Sequence, residues 1–411
     1  MKILFLAHRI PYPPNKGEKI RAFHELRFLG TRHTVDLLCF ADSDAEARHQ
    51  EALKSLCRHI YVETRSRTRI AAGAARSLLC GEPLSCGCFF SSKFQAEVRR
   101  TLAMGSYDVI FIYCSSMAQY LPRPLSAPVV LDFVDIDSAK WAQYAQRLRP
   151  PFSWLFAREA RELARYERDW ARLSASTIVT TSREASWLVG EGIPPVEVVG
   201  NGVEIPEPRL DPLPEKIRAL QPYALFVGTM DYLPNVDAVE YFAEDILPRV
   251  REQHPELKFV IAGRDPARRV RRLKRLPGVF VTGTVPEVET YLAGATVVVA
   301  PFRIAQGIQN KLLEALAVGK PIVSTPGPAA AIAASHGETL LIAGTSQEFA
   351  KSLIGLFEDP ELYGRFSKGV DFVRRNFSWQ DKLDGLEQLL LRAAGLTPSH
   401  DEVTLNRVPV S

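Results

Sequence analysis

Ala300-Pro-Phe-Arg-Ile-Ala-Gln-Gly-Ile-Gln-Asn-Lys-Leu-Leu-Glu-Ala-Leu-Ala-Val-Gly-Lys-Pro-Ile-Val-Ser-Thr325 is the stretch that decides the fold class. An apolar run, Ala295-Thr-Val-Val-Val-Ala300, leads into it and reads as a buried parallel strand. A loop with Gly307 follows. Lys311 to Ala317 reads as a helix, stopped near Gly319 with Pro321 just beyond. Pro321 to Thr325 opens the next strand. One cation, Lys311, and one carboxylate, Glu314, therefore fall in the first turns of a helix that follows a strand end. Ligands of open α/β sheets bind at such ends, and the free N–H groups of a helix N-terminus attract phosphate. Taken alone, Glu314 also fits a solvated acid favoured by the helix dipole.

Outward from this segment the same alternation continues. Strands are expected at Lys2–Ala7, Thr34–Phe40, Ile60–Val62, Val109–Tyr113, Val129–Phe133 and Thr177–Thr181. Helices are expected at Lys16–Gly30, with Ile20, Phe23, Leu26, Phe28 and Leu29 inward, and at Trp154–Leu173. After a proline-rich link holding Pro206, Pro208, Pro212 and Pro214, the series restarts. Strands are expected at Tyr223–Val227, Lys258–Ala262, Val279–Val281 and Leu340–Ile342, with a helix at Asp237–Glu252. The pattern predicts an α/β protein with two doubly wound parallel sheets. We place an N-terminal domain at 1–205, a C-terminal domain at 206–375, a last helix at 376–395 and a disordered tail at 396–411.

The bulk numbers exclude several classes. With 411 residues, 46% hydrophobic and 24% charged, the chain is of ordinary globular composition. Its net charge of +4 decides little. Six cysteines in a chain of this size do not make a disulfide scaffold, and Cys86-Gly-Cys88 lacks a second pair at zinc spacing. A reduced, cytoplasmic setting is expected. Met1–Ala7 reads as a first strand rather than a signal peptide, and no run approaches the ~20 apolar residues of a bilayer span.

The 300–325 segment resembles the donor-site signature of retaining glycosyltransferases of family 4, which have two Rossmann-like domains facing a cleft (the GT-B fold). Glu314-Ala315-Leu316-Ala317 matches the second half of that signature. The family's first glutamate falls on Gln306, a departure. Asn201-Gly-Val203, Phe226-Val-Gly-Thr-Met-Asp231 with Pro234-Asn235, and Gly283-Thr-Val285-Pro286 match further segments in order. The resemblance implies a nucleoside-diphosphate sugar as donor substrate, with no tightly bound cofactor and no metal. It implies Glu314, Gly307, Ile308, Asn310, Arg264, Gly228, Val285 and Gly17 as donor-binding residues. Lys311, Gln306 and Asp135 are the catalytic candidates. Lys311 and Arg264 stand in for the basic residue and lysine-glycine pair that this chain lacks near Gly228.

Pro11 to Arg21, with Gly17, Lys16, Lys19 and Arg21, lies between the first strand and first helix, where charge could meet donor phosphates. Asp132, Asp135 and Asp137 crowd another strand end, where such carboxylates could ligate Mg²⁺ or where Asp137 or Ser138 could cap a helix beside exposed acids; since the resemblance implies no metal there, Asp135 or Asp132 is taken as a sugar- or acceptor-orienting group. This detail resembles bacterial sugar transferases linked to exopolysaccharide and exosortase (PEP-CTERM) systems. The acceptor implied is a glycan or a lipid-linked intermediate. Arg158, Arg161, Arg165, Arg168 and Arg172 alternate with Glu159, Glu162 and Glu167 and are expected to form an ion-paired face. Trp154-Leu-Phe156 and Arg268–Arg275 are candidates for peripheral contact with the inner face of the cytoplasmic membrane. No nucleic-acid partner is expected, since no reader motif accompanies the arginines. A sugar-nucleotide C2-epimerase on the same fold and a non-catalytic sugar-nucleotide binding protein remain open as alternatives.

Overall fold

Ile3 to Ala7 is wholly shielded from solvent. A strand apolar on both faces needs cover on both, which is the sequence mark of a parallel sheet. The computed structural model describes residues 1–188, 193–194, 196–207, 211–305, 307–366 and 369–396. The expected tail from 397 onward, Pro208 of the proline link, and Gln306 lie outside the described residues. The chain divides into two units, Met1–Asn201 with the chain from Gln380 onward, and Gly202–Trp379.

The strands of the first unit are β1 (Lys2–Ala7), β2 (Thr34–Ala41), β3 (His59–Thr64), β4 (Val109–Tyr113), β5 (Val129–Asp132), β6 (Ser176–Val179) and β7 (Val196–Val198). They form one parallel sheet in the order β3-β2-β1-β4-β5-β6-β7. The order reverses between β1 and β4, so a crevice opens at their carboxyl ends. The second unit holds β8 (Tyr223–Val227), β9 (Lys258–Ala262), β10 (Val279–Gly283), β11 (Val297–Ala300), β12 (Ile322–Ser324) and β13 (Leu341–Ile342). Its parallel order is β10-β9-β8-β11-β12-β13, with the reversal between β8 and β11. Both units are Rossmann-like.

The helices that bear on function are α1 (Gly17–Arg32), α2 (Arg67–Cys80), α3 (Leu84–Cys88), α4 (Asp137–Arg147), α5 (Phe152–Leu173), α6 (Leu233–Tyr241), α7 (Arg268–Leu273), α8 (Asn310–Ala317) and α9 (Trp379–Ala393). Within the first unit α9 is tied to the end of α1. Arg32 bonds Asp384 at 3.0 Å and Glu387 at 3.2 Å, and His33 Nε2 lies 2.8 Å from Glu387.

Two sequence expectations fail on burial. Of the α1 residues expected inward, Leu26, Phe28 and Leu29 are buried but Ile20 and Phe23 only half-buried, and Lys19, Arg21 and Glu25 are enclosed beside them. The charges can be buried because each has a partner: Lys19 pairs with Glu46, and Arg21 with Asp132 and Glu25. In α5 the glutamates do not form one ion-paired face. Glu162 pairs with Arg161 and Arg165. Glu159 and Glu167 share the buried face with Leu163 and Trp170, at helical i, i+4 spacing. They are acceptors for other helices' free N–H groups. Glu159 takes Leu84 N at 2.6 Å and Ser85 N at 2.9 Å at the start of α3. Glu167 takes Ser138 N at 3.2 Å at the start of α4.

Candidate functional site

The donor-side candidates gather at the carboxyl ends of β8, β9, β10 and β11, around the switch point of the second unit. Gly228 directly follows β8. Arg264 follows β9 by two residues. Val285 follows β10 by two residues and is half-buried. Gly307 lies in the loop after β11 with φ 60°, a conformation that glycine adopts without strain. Ile308 is half-buried beside it, and Asn310 opens α8. Gln309, the residue before it, makes no side-chain cap, and the N-terminal end of the helix faces the strand ends with its positive dipole.

Two glycines let the loops after β8 and β9 close on each other. A Cβ at Gly263 would lie 1.7 Å from the Gly228 carbonyl oxygen. The loops are zipped by Gly228 N to Ala262 O at 3.1 Å and Met230 N to Arg264 O at 2.8 Å. Gly263→Ala is expected to destabilise by about 1–3 kcal/mol through overpacking and to weaken nucleotide binding with it. Denaturant unfolding with and without nucleotide measures both.

Lys311 sits in the first turn of α8 and reaches to the β8 loop. Its Nζ donates to Asn235 Oδ1 at 2.8 Å, and Asn235 Nδ2 donates to the Thr229 carbonyl at 2.8 Å. The ammonium also stands 4.3 Å from the Phe226 ring centre and 4.6 Å from that of Phe302, close enough for cation–π attraction. A Cβ at Gly228 would lie 2.7 Å from Asn235 Nδ2 and 3.1 Å from Nζ, so a side chain there would press on this lysine–asparagine pair. Burial pushes the lysine down to about 7, and the Glu314 carboxylate opposes that shift. Burial likewise raises Glu314, which Lys311 opposes. The pair lies one helical turn apart, half-buried, in a place that disfavours charge until a partner arrives. Arg264 is half-buried, with Nε 3.9 Å from Asp265.

Asn235 was not among the sequence candidates. Its signal was present in Pro234-Asn235, but nothing in the sequence pairs it with a lysine 76 residues later. Gln306 lies outside the described residues.

In the first unit, the sheet's switch point is lined differently from the sequence reading. Gly17 is the exposed first residue of α1. Lys19 and Arg21 are already paired inside. Asp132 is enclosed: its Oδ2 takes Arg21 Nε at 2.9 Å and Nη2 at 2.6 Å, and its Oδ1 takes Val134 N at 2.7 Å. That makes Asp132 a structural partner rather than a sugar-orienting group. Asp135 is half-buried in the turn after β5. Burial and the Glu184 carboxyl raise it to about 7, and Lys140 opposes them. The turn is held in a costly shape, with β-branched Val134 at φ 66°. Glu184 fixes it by accepting from Ile136 N at 3.3 Å and Thr180 Oγ1 at 2.7 Å. Thr181-Ser-Arg-Glu184, a capping box in the sequence, is the signal that could have found it. Among the described residues, no group of three or more His, Cys, Asp and Glu side chains is placed to hold a metal ion.

Residues 221–359 match the family model described as glycosyl transferases group 1. The chain is similar in structure to Anabaena HepE, solved with UDP-glucose, at TM-score 0.66 and 16% identity, over 95% of this chain and 100% of that one. The chain is a glycosyltransferase with a GT-B fold. Sucrose-phosphate synthase of Thermosynechococcus elongatus has the same fold, at TM-score 0.68 and 16% identity, over 95% of this chain and 98% of the other. A 44.6 kDa protein of the cps region of Klebsiella pneumoniae is 20% identical over 377 residues, 86% of this chain and 90% of that relative. The region matched to the family model contains the glycosyltransferase's Gly228, Asn235, Lys311 and Glu314.

Proposed function

We propose that this glycosyltransferase is a retaining, family 4-like enzyme. It moves a hexosyl group from a nucleoside-diphosphate sugar to a hydroxyl of a lipid-linked or polysaccharide acceptor, at the cytoplasmic face of the membrane. The observation that carries the reading is the Lys311 ammonium, held by Asn235 at the switch point of the second sheet with Glu314 one turn behind it. The UDP-glucose bound by HepE supports the donor class. The cps-region relative supports a role in exopolysaccharide assembly.

In this reading, the N–H groups at the start of α8 and the Lys311 ammonium face the diphosphate. The acceptor oxygen bonds to the anomeric carbon as that carbon's bond to the β-phosphate oxygen breaks, on the same face. The bonding pair leaves with the diphosphate, and the acceptor's proton passes to a phosphate oxygen. Charge therefore grows on the leaving group, where a fixed cation stabilises it most. Asp135 and its turn would serve the acceptor side.

Glu314 would accept hydrogen bonds from the ribose hydroxyls, two charge-assisted contacts. Glu314→Ala is expected to weaken nucleoside-diphosphate binding by roughly 2–3 kcal/mol, read by calorimetry. Wild-type affinity in that variant would take Glu314 out of the site. Transfer itself is tested by incubating UDP-sugars with lipid-linked acceptors and assigning the anomeric configuration of the product by NMR. An inverted product sinks the retaining assignment. Conversion of donor to its C2 epimer without any acceptor would favour the epimerase instead.

A further inference from the structure

The second unit carries a strip of unpaired positive charge that the transfer reaction does not use. From Arg268 to Arg275 the chain has six cations in eight residues and no carboxylate, against a net charge of +4 for all 411 residues. Within α7, Val270 and Leu273 are buried and hold the helix to the core. Arg268, Arg269, Arg271, Arg272, Lys274 and Arg275 are exposed. Arg269 is fastened to α6, its Nε donating to Glu240 at 2.7 Å. Among the described residues, no hydrogen bond or ion pair engages the side chains of the other five.

The fold gains nothing from this strip. Arg268, Arg271, Arg272 and Arg275 fall at i, i+3, i+4 and i+7, which is one face of a helix. Just past the helix end, Arg275 N still bonds Arg272 O at 3.0 Å. Like charges at those spacings repel one another. Cations in the first turn of a helix also meet the positive end of its dipole. Val270 and Leu273 would hold α7 as well with neutral residues around them. A strip that works against its own helix points to a negatively charged partner.

The make-up and the place of the strip select the partner. Every exposed side chain from Arg268 to Arg275 is cationic. The strip therefore has no apolar wedge to enter a bilayer and no aromatic platform on which nucleic-acid bases stack. A hydrophilic polyanion fits it, since guanidinium groups pair with carboxylates through two parallel hydrogen bonds. Ala267 N donates to Met230 O at 3.0 Å, which pins the start of α7 to the loop after β8. The carboxylate at this end, Asp265, stands 3.9 Å from Arg264 Nε. The strip thus begins at the donor loops and leads away from them. A glycan chain seated on it would have its near end beside the nucleotide-sugar.

We propose that Arg268, Arg271, Arg272 and Arg275 form a binding ridge for an anionic polysaccharide, a glycan with carboxylate groups along its length. The inference rests on the reading of a polysaccharide acceptor given above and narrows it to an acidic polymer. Its test uses binding alone. Failure of the ridge therefore leaves the transfer reading standing, and a failure of transfer leaves the ridge to be judged by binding.

The full chain is to be titrated against fluorescently labelled fragments of alginate, a polyuronate, and against dextran fragments of matched length, with anisotropy as the readout. Alginate is expected to bind about tenfold or more tighter than dextran and to be released by added salt. Arg271→Glu with Arg272→Glu changes two exposed positions and is expected to lose about tenfold or more of that affinity. Its circular dichroism and UDP affinity should stay as in wild type. Arg67→Glu with Arg149→Glu makes the same change of charge at exposed positions of the first unit and is expected to keep alginate binding. Absence of alginate binding, equal binding of dextran, full binding by the α7 variant, or equal loss by the first-unit variant would each overturn the proposal. So would phosphatidylcholine vesicles containing phosphatidylglycerol, or a DNA duplex, binding through Arg271 and Arg272 more tightly than alginate does, since the occupant would then be a bilayer or a nucleic acid.

Discussion

Lys311→Met is expected to lower turnover by about 10²–10³-fold, the loss typical of removing one fixed donor from a developing anion. Methionine keeps an apolar stem against Phe226 and Phe302, so the fold should be retained. The sharper readout is the proton. With its ammonium confined between two rings and Asn235, Lys311 titrates at about 7 rather than in the usual lysine range. A bound diphosphate restores the preference for the charged form. Nucleotide binding should therefore take up little proton below about pH 6, where the lysine is already charged, and close to one proton near about pH 8. Calorimetry in buffers of different ionisation enthalpy measures that uptake directly. Apparent affinity should weaken as pH rises above about 7, and the variant should show neither effect. The stability sign is the reverse of the ligand's. A lysine lowered in the folded state holds fewer protons there than in the unfolded chain from about pH 7 to 10.5, so its contribution to stability rises with pH across that window. Lys311→Met should remove that slope. Wild-type protein that binds nucleotide without proton uptake would show that Lys311 does not face the diphosphate.

The sheet architecture was legible because parallel strands must be apolar on both faces, and such runs are readable one at a time. Lys2–Ala7, Val109–Tyr113, Tyr223–Val227 and Lys258–Ala262 have the expected bounds in the structure. What was hidden is pairing at a distance. Glu159 and Glu167 were read as part of an ion-paired face in solvent, as most such charges are, and Arg21 as charge for donor phosphates, yet Arg21, Glu159, Glu167 and Glu184 are buried. Each is buried because a partner far along the chain answers it: Asp132 for Arg21, the start of α3 for Glu159, the turn after β5 for Glu184. Periodicity carries no information on such matches. The same holds at the donor site. The strand–loop–helix frame of Lys311 and Glu314 was evident, but Asn235 enters it only because β8 and β11 are neighbours in the sheet. Helix α2 went unread for the opposite reason. Its alternation of alanine, glycine and arginine gave no apolar stripe to read, since its inner face is made of small residues.

Arg21→Met is expected to destabilise the protein by about 3–5 kcal/mol, the cost of leaving a buried carboxylate without its cation. Arg21 is the hub of the first unit's interior. It binds Asp132 through two nitrogens, the Val199 carbonyl at 2.8 Å and Asn201 Oδ1 at 3.1 Å, and its Nε lies 2.9 Å from Glu25. One guanidinium thus faces two enclosed acids. Burial raises Glu25 well above the usual carboxylate range, against the pull of Arg21. The folded protein therefore holds a proton on Glu25 that the unfolded chain releases above about pH 4.5. Stability from that proton is full below about pH 4.5 and is lost as pH rises through the folded value. Without Arg21 the two acids face each other with no cation, so the variant's deficit should be larger at about pH 8 than at about pH 5, where protonation relieves it. Glu25→Gln, which keeps the shape and removes the titration, should flatten the pH dependence and be at least as stable as wild type at about pH 8. Denaturant unfolding of the three proteins at both pH values decides the matter. A deficit in Arg21→Met that does not grow with pH would mean that lost packing, not the stranded acids, accounts for the effect. The hydrogen bonds to Val199 and Asn201 would then be the contribution of Arg21, and its placement beside Asp132 would add nothing to the fold.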